Sequence, residues 1–455
     1  MQIQTLNGTH LLFMALILLV VATVGVYSGR KVKSATDFAT GGQSAGPVLV
    51  AATIMGTLVG GAATIGTSEL AFRYGLSAWW FTLGGGIACL ILGLGLTEPL
   101  WATRFETIPE LLGATYGGRT ALAVSVFSSL GMFLNLVAQL LAAVALLTSM
   151  LTMPNWLASC IAGGLMAAYV IFGGIRGTGL VGFTKLILMY GGLFITGVIA
   201  YNLTGGWETL QGIFPTYPWF SLLGRGITTD LAACFSLLVG VLSTQTYIQA
   251  IFSGRSAKAA RQGALLSAVL IPFAGIPGIL VGLFMRANFP QLEPGQALPI
   301  FVLQYLPSWL GGLVLATLLV AVVGTGAGLA LGISTMVSKD IYQQYFTGDQ
   351  PAKTLLVARL VILTIIAISV FIVSSGTASG LILEWTYLSM GLRGATCFFP
   401  LLVALFLADK IDPASGRLAV IIGPLIVILW RLFGARLDPL YPGLVASMVV
   451  LGWGF

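Results

Sequence analysis

Apolar runs close to twenty residues long follow one another along this chain, separated by short polar stretches. In a lipid interior only protein can satisfy backbone N–H and C=O groups, so such runs must be helices or strands of a closed barrel. Barrel strands alternate over about ten residues; these runs do not, so the reading is helical. Composition agrees: 57% of 455 residues are hydrophobic, 8% are charged, and the mean hydropathy is +1.00. The chain reads as an all-α integral membrane protein.

Spans are expected at roughly 10–28, 47–72, 77–103, 121–150, 155–174, 177–203, 225–253, 260–286, 309–336, 354–375, 378–407, 415–434 and 439–455. This makes about 13 transmembrane helices. The first run lacks a basic leader and a small-residue cleavage site, so it reads as a retained span, not a signal peptide. Of 21 basic residues, Arg73, Arg225, Arg286, Arg431 and Arg436 fall on one side, Lys185 and Arg393 fall within spans, and the rest fall on the other side. That bias places the N-terminus outside and the C-terminus in the cytoplasm of a plasma or inner membrane. A net charge of +7 then anchors the chain to the inner leaflet and is no nucleic-acid footprint. Cys89, Cys160, Cys234 and Cys397 all lie in spans and read as packing residues. His10 is the single histidine, which disfavours a zinc or haem enzyme; no cofactor is expected.

Two spans carry interruptions. One holds Ala321-Val-Val-Gly-Thr325-Gly-Ala-Gly328 and the other Gly56-Thr-Leu-Val-Gly-Gly-Ala-Ala-Thr-Ile-Gly66. Glycine is costly inside a helix, and lone hydroxyls are rare at bilayer depth. Such segments persist where backbone and side-chain oxygens line a cavity, which points to a solute and ion site at mid-membrane. Spans two to six and seven to eleven can form two halves of opposite orientation, because an odd number of helices inverts the repeat. The first helix of each half is then the discontinuous one. Span two breaks around Gly56 to Gly61, and span seven has a matching candidate at Gly240 followed by Ser243-Thr-Gln-Thr246. The organisation expected is an extra helix and loop over 1–46, a ten-helix core over 47–407 and two helices over 408–455. The repeats of the core run over about 47–203 and 225–407. The stretch from Ala287 to Ser308 reads as a short external helix or lid.

Several short motifs recur in a recognisable order. They are Gly61-Ala-Ala-Thr-Ile-Gly66 with Phe72-Arg-Tyr-Gly75, then Thr107-Ile-Pro-Glu-Leu-Leu112 with Tyr116-Gly-Gly-Arg119. Gly173-Gly174, Gln249 with Gly254-Arg-Ser-Ala-Lys-Ala-Ala260, and Leu315-Ala316 through Lys339-Asp-Ile-Tyr342 follow. From about residue 29 to residue 420 the chain resembles the sodium:solute symporter family, which includes proline, pantothenate, sialic acid and sugar transporters. The resemblance implies a LeuT-type 5+5 inverted-repeat core, spans two to eleven, with one helix before it and two after. It also implies Na⁺ as coupling ion, held by the carbonyls of Gly56, Val59 and Ala321 and by side chains at 324 and 325.

Depth supports that grouping. Val59 lies about 18 Å along span two and Thr325 about 16 Å from the cytoplasmic end of span nine. Thr325 keeps its hydroxyl, but Gly324 stands where the family usually has Ser. Sodium-coupled members usually carry Asp after Thr in the fifth core helix; this chain has Phe183-Thr184-Lys185. Lys185 is about 12 Å deep and close to the expected cavity. Its ammonium can take the place of Na⁺ against the Gly56, Val59, Ala321 and Thr325 oxygens, and a buried lysine can lose its charge near neutral pH. Coupling to H⁺, or to no ion, follows from that reading. The alternative is a lysine that snorkels to the inner interface.

The substrate region is expected beside the break in span two. Gly60, Gly61, Ala62 and Ala63 leave room there, and the resemblance sets Ala63, Thr82 and Thr244 at pocket positions where sugar-transporting relatives use polar residues, which disfavours a sugar. Thr57, Asn135, Gln139, Gln245, Glu384, Trp385 and Tyr387 are further candidates, each of which is equally read as interhelical glue. Arg225 and Asp230 are assigned to the outer interface, and Arg393 either to an anionic substrate or to structure. The expected function is secondary active transport of a small polar or anionic solute by a monomer, with a facilitator or channel as alternative. Gly84-Gly-Gly86 has no Walker lysine, so ATP-driven transport is unsupported.

Overall fold

A computed structural model describes residues 6–29, 44–105, 107–347, 351–378, 380–435 and 437–455. Arg30, Lys31, Lys33 and Arg436 of the charge-bias argument lie outside the described residues.

The elements are helical throughout. In chain order they are α1 (Gly8–Gly29), α2 (Pro47–Leu58), α3 (Thr67–Tyr74), α4 (Trp80–Ile91), α5 (Thr97–Thr103), α6 (Ile108–Tyr116) and α7 (Gly118–Met150). Then come α8 (Asn155–Leu203), α9 (Trp207–Ile213), α10 (Ile227–Ser243), α11 (Gln245–Phe252), α12 (Ala257–Asn288), α13 (Ala297–Tyr305) and α14 (Ser308–Thr335). The last four are α15 (Pro351–Ser374), α16 (Ile382–Phe406), α17 (Pro413–Leu432) and α18 (Leu440–Gly452). Among the described residues, eight helical stretches are long and apolar enough to cross a membrane, and the bent pair α10–α11 makes a ninth. The chain is a multi-pass membrane protein.

Span two is broken as its glycines suggest. α2 stops at Leu58, Val59 leaves the helical region (φ −89°, ψ 80°), and a π turn over Ala62–Gly66 leads into α3. Span seven breaks at Thr244, whose backbone is extended, and the halves α10 and α11 meet at 46°. At one end the two interrupted spans are tied together: Ala45 donates to the Ser253 carbonyl (3.0 Å) and accepts from Arg255 N (3.0 Å).

Spans five and six were expected as separate helices, whereas α8 is helical from Asn155 to Leu203. It is not straight. Gly326 of α14 packs on Met166, and Val314 packs on Gly192. On a straight helix residues 166 and 192 would stand about 39 Å apart, yet their partners on α14 are about 18 Å apart. The two portions of α8 therefore double back against α14. The stretch after Ala287 forms a single 3₁₀ turn and then α13, whose apolar residues are buried against the bundle.

Helix α12 runs beside both halves of span two, in the same direction. Gly263 faces Val50, Gly278 faces the Thr64 carbonyl and Gly282 faces the Ser68 carbonyl. A Cβ on Gly282 would lie 2.6 Å from that carbonyl oxygen and 2.9 Å from Phe72 N, both backbone atoms that cannot turn aside. Gly282→Ala should therefore destabilise the protein by about 1–3 kcal/mol. Gly164→Ala, with nothing within 4 Å of the added carbon, should not. Thermal unfolding of both variants in detergent checks this; equal midpoints would contradict it.

Candidate functional site

The break in span two rearranges its own hydrogen bonds. In an unbroken helix Gly60 N would donate to the Gly56 carbonyl; here it donates to Leu58 O (3.1 Å). Gly61 N turns away to Gln139 Oε1 of α7 (2.9 Å), and Gln139 Nε2 donates to Asn135 Oδ1 (3.3 Å). Thr64 Oγ1 returns to the Gly60 carbonyl (2.9 Å). The Gly56 carbonyl is thereby left for a partner from another helix.

That partner is Lys185. Its Nζ donates to the Gly56 carbonyl at 2.7 Å, to Thr325 Oγ1 at 3.3 Å and to the Ala321 carbonyl at 3.4 Å. Thr325 Oγ1 lies 3.5 Å from the Gly56 oxygen, so these oxygens form one cluster. Lys185 is only 3% exposed, and the described ion pairs join Arg225 to Asp230 and Arg261 to Glu98, leaving the ammonium neutral oxygens alone. Glycine makes the approach possible. Gly56 faces Gly182 of α8, and a Cβ on Gly60 would lie 2.5 Å from Thr325 Oγ1.

Of the residues expected to surround a cation, Gly56, Ala321, Thr325 and Lys185 converge; the Val59 carbonyl is not among the bonds Lys185 makes. Gly324 is one position away on α14, and the nearest atom to a Cβ there is Tyr169 Oη at 3.8 Å. A seryl side chain has room. Three oxygens already engaged by an ammonium are fewer than the shell a hard cation draws.

The substrate candidates divide. Gly60, Gly61 and Gln139 meet at the break, and Ala63 is buried just beyond it. The hydroxyl of Thr57 donates within its own helix to Thr53 and Ile54 carbonyls. Thr82 packs against Gly275, its hydroxyl 3.4 Å from the Trp79 and Pro272 carbonyls. Thr244 donates to the Gly240 carbonyl, and Gln245 Oε1 accepts from Ile108 N, the first residue of α6. Tyr387 is buried against Phe81, with ring centroids 6.2 Å apart. Glu384 is exposed and accepts from Leu381 N at the start of α16.

Glu384 shares a cavity of about 850 Å³ with Glu69, Arg73, Glu293 and Asn155, at the end of the bundle expected to face outward. Sequence reasoning did not foresee it, because its walls come from segments far apart in the chain. Arg225 and Asp230, assigned to the outer interface, form an ion pair at 2.7 Å with both side chains buried. The i to i+5 spacing around Gly226 was the available signal.

Residues 38–423 match the sodium:solute symporter family. The chain belongs to this family. Among relatives, it is 23% identical to the sodium/pantothenate symporter of Escherichia coli (strain K12), covering 95% of this chain and 93% of that one. It is 24% identical to the monocarboxylic acid transporter of Corynebacterium glutamicum, covering 95% and 81%. With the high-affinity proline transporter PutP of Bacillus subtilis the identity is 25%, covering 94% and 93%. In fold it matches a Na⁺-coupled sialic acid symporter with a TM-score of 0.79, covering 98% and 96% of the chains at 19% identity. A nucleobase-cation-symport-1 family transporter follows at 0.61, covering 90% and 92% at 14% identity. The fold is thus that of LeuT-type transporters, and the chain is a membrane transporter, not an enzyme. Na⁺ is the family's coupling ion.

Gln139 supplies the single acceptor for Gly61 N, so Gln139→Leu should leave a buried donor unpaired at a cost of about 1–3 kcal/mol. The unfolding midpoint of the purified variant should fall, and an unchanged midpoint would show that the break does not need its cap.

Proposed function

We propose that this symporter moves a small polar or anionic organic solute by alternating access and couples it to H⁺ through Lys185. The observation that carries this reading is the Lys185 ammonium held by the Gly56, Ala321 and Thr325 oxygens. Three further readings accompany it. The ten-helix core is an inverted repeat over about 47–203 and 225–407, the protein works as a monomer, and it sits in the plasma or inner membrane with its N-terminus outside.

The ammonium does what a sodium ion would do in the same place. It brings a positive charge to freed carbonyl dipoles and so bridges α8 to α2 and α14. Lysine can also give up its charge, which a metal ion cannot. Loss of the proton removes the charge and weakens the bridge, letting the helices part; regaining it restores the bridge. Coupling then needs a proton path to Lys185 and no bound Na⁺. Gly324, lacking the hydroxyl common at that position in the family, supports the same reading.

Pantothenate, proline, monocarboxylic acids and sialic acid, named in the relatives and the neighbour, all carry a carboxyl group, which supports an organic acid as the solute.

The test is uptake into proteoliposomes under separately imposed Na⁺ and H⁺ gradients. Wild-type uptake should rise as the outer face is acidified and be indifferent to Na⁺. Lys185→Ala should reduce proton-driven uptake by more than about 30-fold, the effect of removing a buried charged donor. The double variant Lys185→Ala with Gly324→Ser should gain stimulation by Na⁺. Uptake that requires Na⁺ and ignores Lys185→Ala would refute proton coupling.

A further inference from the structure

Where α5 ends beside the start of α12, the basic residues Arg104, Arg255, Lys258 and Arg261 gather. Trp101 of α5 donates through Nε1 to the Gly254 carbonyl (3.1 Å), which draws the end of α5 onto the segment leading into α12. Arg104 ends α5 in the left-handed region (φ 61°) and lays its guanidinium over the Trp101 ring, Cζ 4.0 Å from the centroid. One turn before Trp101, Glu98 accepts from Arg261 Nη1 at 3.4 Å, with the two side chains 68% and 44% exposed. An ion pair so open to solvent contributes little and is readily exchanged. Arg104, Arg255 and Lys258 are exposed, and no ion pair among the described residues engages them.

The basic patch continues into an apolar face. Lys258 heads a stripe of α12 that runs, at helical spacing, through Leu266, Val269 and Phe273, all exposed. Beside this stripe α12 packs closely on α4 and the turn after it, because Gly86 faces Pro272 and Gly93 faces Leu265. Leu90 and Leu94, next along from those glycines, are exposed as well. Lipid tails cover such a surface, and the cations above it then lie at headgroup depth, where a tryptophan such as Trp101 is a common anchor.

Arg255 also belongs to the tie between the interrupted spans. Its N donates to the Ala45 carbonyl at 3.0 Å, while Ala45 N donates to the Ser253 carbonyl. A ligand drawn to Arg255 therefore bears on the joint that holds spans two and seven together at this end.

We propose that Arg104, Arg255, Lys258 and Arg261 hold the phosphate of an anionic phospholipid whose tails lie along Leu94, Val269 and Phe273. The bound lipid steadies the joint at Ala45. Arg104 stacks on Trp101 by its face, so its N–H edge stays available to phosphate oxygens. Nothing in this assignment depends on Lys185 or on the coupling ion; the leaflet is the inner one in the orientation proposed above.

Full-length purified protein in a neutral detergent is titrated with phosphatidylglycerol, phosphatidylcholine or glycerol phosphate. Retained lipid is counted by native mass spectrometry, and the thermal midpoint is read alongside. Phosphatidylglycerol should be retained and raise the midpoint, whereas the other two at the same concentration should do neither. Each cation beside an anionic headgroup is worth about 5-fold, so Lys258→Gln should weaken phosphatidylglycerol by about that factor. Arg104→Gln combined with Lys258→Gln should weaken it about 30-fold, and Lys258→Arg should bind as wild type does. Both side chains are exposed, so these variants keep the fold. Lys410→Gln combined with Arg417→Gln removes exposed cations elsewhere at the same end and should leave binding unchanged. No retention of phosphatidylglycerol, equal retention of phosphatidylcholine, or binding untouched by the Arg104 and Lys258 pair would overturn the site. An equal shift from glycerol phosphate would make it a site for free phosphate, and an equal loss in the Lys410 and Arg417 pair would leave only diffuse attraction to an anionic leaflet; either result also overturns it.

Discussion

The 2.7 Å bond from Lys185 Nζ to the Gly56 carbonyl is the contact on which the centre of this molecule depends. The carbonyl is free only because Gly60 N has turned to Leu58 O, and the lysine reaches it only because Gly56 and Gly182 let two helices touch. Thr325 and Ala321 bring α14 into the same cluster. Interrupted backbone, close glycine contacts and a buried charge are therefore one arrangement. An ammonium without an acidic partner is expensive at this depth, and neutral carbonyl dipoles offset part of that cost without trapping the charge permanently. A carboxylate in the same position would hold the proton more firmly and make its release harder.

Two positive charges divide the interior between them. Lys185 engages the first interrupted span, whereas Arg393 donates to Ser389 and Met390 of its own helix and packs its stem on Gly131 of α7. Their chemistry suits different tasks. A lysine can release its proton when buried, whereas an arginine stays charged. The carboxylate-lined cavity of about 850 Å³ lies further toward one end of the bundle, beside Glu69, whose Oε2 accepts from Ile382 N at 2.8 Å. That bond joins α3 to the first residue of α16, the helix that carries Arg393.

Much of this was legible from residue order. Consecutive glycines at 60 and 61 marked the first break, and the depth of Lys185 along its span placed it beside Thr325. Other features were hidden because they depend on partners distant in the chain. Gln139 was recognisable as a buried polar residue, but nothing local showed that it caps Gly61 N, 78 positions away. Thr82 was a substrate candidate by position, and nothing local showed that Gly275 lets α12 pack directly on it. The Val59 carbonyl was expected beside Lys185, and the local turn at Val59 keeps it out of that bond set. Hydropathy separated spans five and six but could not show how their continuous helical backbone doubles back on α14.

The central claim is that a protein-borne ammonium, not a metal ion, occupies the place between the interrupted helix and α14. Equilibrium binding of radioactive sodium to purified wild-type protein, across a range of pH, tests it most directly. The account predicts no saturable sodium binding at any pH where Lys185 keeps its proton. Saturable binding under those conditions, undiminished as the pH falls, would contradict it.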